Sequence, residues 1–242
     1  MHVQWLVLAA ILAMMVVDHF VVWRSFTRRR ALDETRARHA FWLRIALLLW
    51  ATSALVLWLW IAHGVPLSSV GFAAPVGWRL WAPLVLGSAV VLLQAQGALK
   101  VARLAAPGPK LRAQLGGAEP ISPHLASELP AFFGLSLTAG FCEELLFRGF
   151  VVWVLQPALG LWIAAALAAL LFALGHAYQG VQGVVRTGII GLVFTAIVLV
   201  TRSLWPAIVL HAAIDAMGGV LAWLILRERP VMSAGAAPAS TA

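Results

Sequence analysis

Charge is the scarcest property of this 242-residue chain: only 11% of its residues are Asp, Glu, Lys or Arg, and just nine are acidic. Soluble domains carry about 25% charged residues. With 62% hydrophobic residues and a mean hydropathy of +0.94, the composition excludes that class and implies a polytopic membrane protein. Cysteine is nearly absent as well. Cys142 stands alone, which excludes an intramolecular disulfide and any multi-cysteine metal site. The motifs of nucleic-acid-binding modules are missing. The formal charge of +8 gathers mostly in segments flanking apolar spans, where membrane topology accounts for it and no nucleic-acid partner is needed.

What the chain does have is long apolar runs. About seven spans of roughly 17–25 residues match the length that crosses ~30 Å of hydrocarbon. They run from Val3 to Trp23, Phe41 to Ala62, Trp81 to Leu99, Ala131 to Leu155, Leu161 to Tyr178, Thr187 to Val200 and Leu204 to Leu226. The sixth is short and carries Gly188 and Gly191, so it is expected to begin earlier or to tilt. Trp5, Trp23, Trp42, Trp60, Trp81, Trp162 and Trp205 fall near span ends, as interfacial belts require. The fold class expected is therefore all-α, a membrane helix bundle. Its parts are N-terminal helices over 1–104, a cytoplasmic loop with an interfacial helix over 105–130, a C-terminal core over 131–226 and an unfolded tail over 227–242.

Orientation follows from the loops. Arg24, Arg28, Arg29, Arg30, Arg36 and Arg38 lie between spans one and two, with Arg44 just inside the second, whereas His63 to Leu80 holds only Arg79. The positive-inside rule then puts the N-terminus outside and the C-terminus in the cytoplasm, with Arg202 the one dissenter. MHVQW lacks a basic n-region, so the first span is expected to be an anchor and not a cleaved signal. In the middle loop, Ser122-Pro123 matches a helix start, with Ser as N-cap and Pro at the first helical position.

Three strings place ionisable groups inside this apolar background, where they are costly and usually functional. In FCEELLFRGF, Glu144 and Arg148 are spaced for an intrahelical ion pair, while Glu143 points about 100° away. Gly140 and Ala139 beside it allow another backbone to approach closely. In LFALGHAY, Phe172 and His176 share a face, so the ring buttresses the imidazole. In LHAAIDAM, His211 and Asp215 have the same spacing. Each pair taken singly also fits a plain structural role, as a helix clamp, a packing histidine or a local hydrogen bond. Together, carboxylates and histidines from three helices can activate water within a membrane. Asp18 and His19 are assigned no such role, since Asp18 is placed to pair with an arginine of the next loop, and Cys142 is expected to be a buried structural thiol. Other hydrolytic signatures are lacking: Ser136 stands in GLSL and not in Gly-x-Ser-Gly, HExxH is absent, and there is no pair of membrane aspartates.

The series EExxxR, FxxxH and HxxxD resembles the CPBP family, which contains the type II CAAX prenyl endopeptidases and bacteriocin-processing relatives, over about Ala131 to Leu226. The resemblance implies an intramembrane endopeptidase. In it Glu143 is the general base that holds a water with His176, His211 and Asp215 stand where the oxyanion is stabilised, and Glu144 and Arg148 support the helix. The family most often has asparagine where this chain has Asp215, and an ionised carboxylate cannot donate to an oxyanion. Either Asp215 stays protonated, or it orients His211 and leaves donation to the imidazole. A third option is that Glu143, His176, His211 and Asp215 bind zinc, for which all four are acceptable ligands; glutamate-activated water without a cofactor is the favoured reading.

The partner expected is a membrane-associated or exported polypeptide within the lipid bilayer. High Ala, Arg, Leu and Trp content with few lysines points to a GC-rich bacterial genome, hence to the inner membrane. Two other classes remain open on the sequence: a non-catalytic immunity or scaffolding factor of the same fold, and a proton-coupled transporter.

Overall fold

The computed structural model describes residues 3–104 and 107–227, and among these every regular element is helical. Helix α1 (Val3–Val17) runs through a π-helical stretch, Asp18–Val22, into α2 (Trp23–Arg30). After a short turn Asp33 caps α3 (Glu34–Ala62), its carboxylate accepting from the Arg36 backbone N–H at 2.9 Å. Helix α4 spans Trp78–Ala102, and the short α5 (Pro109–Ala113) lies in the middle loop. Helix α6 (Leu129–Glu143) continues through a second π-helical stretch, Glu144–Val151, into α7 (Val152–Leu159). Gly160, at φ +77°, ends that rod, and α8 (Leu161–Gly175), α9 (Gly180–Thr201) and α10 (Trp205–Leu226) complete the chain.

Among the described residues, five helical stretches are long and apolar enough to cross a membrane: Val3–Arg30, Glu34–Ala62, Trp78–Ala102, Ala177–Thr201 and Trp205–Leu226. The fifth expected span corresponds to a shorter helix, Leu161–Gly175, and the sixth begins well before Thr187. Large apolar side chains such as Leu6, Leu43, Trp58, Leu86 and Ile189 face outward, as lipid contact demands and water does not favour. The tryptophans divide. Trp5, Trp81, Trp162 and Trp205 are exposed as belts require, but Trp42 and Trp60 are buried in helix packing, and Trp42 donates from Nε1 to the Ile121 carbonyl at 2.9 Å.

The expected helix start at Ser122-Pro123 does not form. Ser122 is extended, at ψ 154°, and α6 begins at Leu129 with a proline in its first turn, Pro130. Glu128 organises this entry instead: its Oε2 accepts from the backbone N–H groups of His124 and Leu125, at 2.7 and 3.0 Å. Its Oε1 takes the fully buried Arg38 guanidinium of α3 at 2.9 Å. The N-terminal helices are thereby fastened to the start of α6. Beyond Arg227, the expected tail lies outside the described residues.

Helix α10 packs chiefly against α6 and α4. Close approach to α6 depends on Gly140, where a Cβ would stand 2.9 Å from the backbone N of Ala212 and the carbonyl of Ile208. That contact sets the distance between the residues of the first and third strings.

Candidate active site

Arg148 is the structural hub. Its Nη1 meets Glu144 Oε1 at 2.9 Å, Nη2 donates to the Gly191 carbonyl at 3.0 Å and Nε reaches Thr195 Oγ1 at 3.4 Å. The guanidinium carbon lies 4.3 Å from the Phe172 ring centre. Burying an ion pair is costly unless its remaining hydrogen-bonding groups are also met; α9 meets those of Arg148, while Glu144 Oε2 has no partner among the described residues. Gly191 makes this possible, since a Cβ there would stand 2.9 Å from Phe172 and 3.3 Å from Arg148 Nη2.

His211 on α10 is held against the same carboxylate, with Nδ1 2.8 Å from Glu144 Oε1. Its Nε2 faces Glu143 Oε2 at 3.8 Å and Asp215 Oδ2 at 3.5 Å. The ring stacks on Phe194, centres 5.0 Å apart and planes 21° from parallel, and meets Phe172 edge-on at 6.0 Å. One imidazole therefore stands among three carboxylates. His176, at the end of α8, has its Nδ1 2.9 Å from the Phe172 carbonyl. A carbonyl only accepts, so Nδ1 carries the proton and Nε2 is left as an acceptor in the neutral ring. The Phe172 and His176 ring centres are 4.9 Å apart, the buttressing that their spacing implied.

Glu143, Phe172, His176, His211 and Asp215 line one cavity of about 410 Å³, while Glu144 and Arg148 stand behind its wall. All seven residues singled out in the three strings thus meet at one place. Among the described residues, no group of three or more His, Cys, Asp or Glu side chains is arranged to hold a metal ion.

Two features escaped sequence reasoning. Glu144 holds His211 as well as Arg148, a contact from the π-helical stretch after α6 to α10 that no spacing within one helix reveals. Among the described residues, Asp18 pairs with no loop arginine. Arg24 lies over Phe20, Arg44 donates to Ser25 and Arg30 and Arg36 pair with Glu34 and Asp33, whereas Asp18 lines the cavity that contains Glu143. The signal available was its position as a lone carboxylate within an apolar run.

Residues 125–217 match the family model described as type II CAAX prenyl endopeptidase Rce1-like. The match falls on the stretch that carries the EExxxR, FxxxH and HxxxD resemblance. No curated protein and no solved structure matches the chain. The matched segment covers less than half of the chain, yet it holds every residue of the three strings. Its helices and the long apolar helices before it make a multi-pass integral membrane protein.

Proposed function

We propose that this protein is an intramembrane endopeptidase that hydrolyses a peptide bond of a membrane-associated or exported polypeptide with water activated by Glu143 and His176. The observation that carries the reading is His211: anchored through Nδ1 on Glu144, it presents Nε2 to the cavity that Glu143 and His176 also line. Glu143 takes a proton from the water as its oxygen attacks the substrate carbonyl carbon. The developing oxyanion accepts a hydrogen bond from protonated Nε2 of His211, for which Glu144 supplies the counter-charge. Collapse of the tetrahedral intermediate breaks the C–N bond, and Glu143 returns the proton to the leaving amine.

Asp215, 3.5 Å from Nε2, orients the imidazole and leaves donation to it. The proposal needs no resident metal, because the carboxylates and imidazoles hold one another and nearby backbone. The test compares newly formed protein termini, by mass spectrometry, in cells with the wild type and with Glu143→Gln at equal abundance. Termini that depend on the wild type are expected. Identical profiles, with the native phenotype intact in the variant, would hand the assignment to a non-catalytic membrane factor.

A further inference from the structure

The cavity has a wall that the matched segment does not supply. Asp18 reaches it from the N-terminal helix, and Gln94 reaches it from α4. In both side chains one oxygen, Oδ1 of Asp18 and Oε1 of Gln94, is shielded from solvent and meets no hydrogen-bond partner among the described residues. Asp18 also opens the π-helical stretch Asp18–Val22, as Glu144 opens the other one. Such widened turns are rare in helices and concentrate at functional sites.

A carboxylate accepts hydrogen bonds and does not donate them when ionised, and shielding one without a partner is costly. Its complement is a donor, best a cationic one. The surroundings agree, because the carboxylates lining the cavity are Asp18, Glu143 and Asp215, and the one arginine there, Arg186, sits at an exposed position. A cavity of about 410 Å³ has room for several residues of a polypeptide.

We infer that Asp18 is a substrate-reading residue: it binds a lysine or arginine side chain of the polypeptide at a fixed distance from the bond that is cut. The inference rests on the endopeptidase reading. It gives the N-terminal helices a part in choosing the substrate, while the matched segment performs the reaction.

The experiment maps cleavage sites by terminal mass spectrometry in cells carrying wild type, Glu143→Gln, Asp18→Asn or Asp18→Glu at matched membrane abundance. Sites that depend on Glu143 are expected to carry Lys or Arg at one recurring position. Asp18→Asn is expected to lower the ratio of basic to neutral sites by about tenfold, since a site built for a charged donor rejects its loss, and Asp18→Glu to retain the preference. A merely structural role for Asp18 would lower all sites together and leave that ratio unchanged, which overturns the inference. Wild-type sites without any basic preference overturn it with no variant needed. If no site depends on Glu143, the endopeptidase reading falls and this inference falls with it.

Discussion

Glu143 and Glu144 are neighbours in sequence with opposite duties. Glu144 is fully buried between Arg148 and His211, while Glu143 opens on the cavity. Glu144→Ala leaves the Arg148 guanidinium without its counter-charge, and breaking such a pair from one side costs about 3–5 kcal/mol. A clear fall in thermal stability in detergent is expected, measured by unfolding-linked fluorescence. Glu143→Gln should leave the unfolding temperature nearly unchanged while it removes cleavage. Equal losses of stability in the two variants would refute this division. The sequence made the Glu144–Arg148 and His211–Asp215 pairs legible because residues four apart on a helix are neighbours. It did not reveal the Glu144–His211 bond, which depends on how closely two helices pack.

At the scale of elements, two contacts hold the bundle in register. Gly140 lets α10 lie against α6, and α10 carries both His211 and Asp215. Gly140→Ala forces a methyl group into the backbone of the facing helix, an overpacking worth about 1–3 kcal/mol. The turnover of a cleaved substrate should fall more than tenfold as His211 moves off Glu143, while the protein still accumulates in membranes. The second contact is Glu128. Burial, the largest single influence, pushes its carboxyl up, but the backbone N–H groups of Leu125 and His124 together with Arg38 outweigh burial and hold it below the usual carboxylate range. A depressed carboxyl stabilises the folded state above its ordinary pKa, and that contribution fades as pH falls through the lower folded value. The unfolding temperature of the wild type should therefore drop as acid is added below about pH 4, and Glu128→Gln should flatten that drop, as measured in a pH series of melting curves. The short loop helix expected to open at Ser122-Pro123 did not form for the same reason. Ser122-Pro123 has the local chemistry of a cap, but Glu128 reaches both backbone and a distant arginine, and the tertiary tie prevails.

For the whole molecule, the proposed reaction runs on protein carboxylates and imidazoles alone. Treating the reconstituted protein with a strong zinc chelator should leave cleavage of a mapped substrate unchanged; loss of activity restored by added zinc would replace glutamate catalysis with metal catalysis. The amino-acid sequence by itself determined the solvent this protein lives in, because mean hydropathy and the lengths of apolar runs are sums over residues that need no coordinates. It also determined the three polar strings, since the spacings within each string are local to one helix. Tertiary structure decided what lies between helices: that Trp42 and Trp60 are core and not belt, that Glu144 anchors His211, and that Asp18 faces the cavity and not a loop arginine. Those outcomes depend on helix rotation and crossing distance. An almost uniformly apolar sequence leaves both undetermined, because so many faces of each helix are equally suited to lipid or to a neighbour.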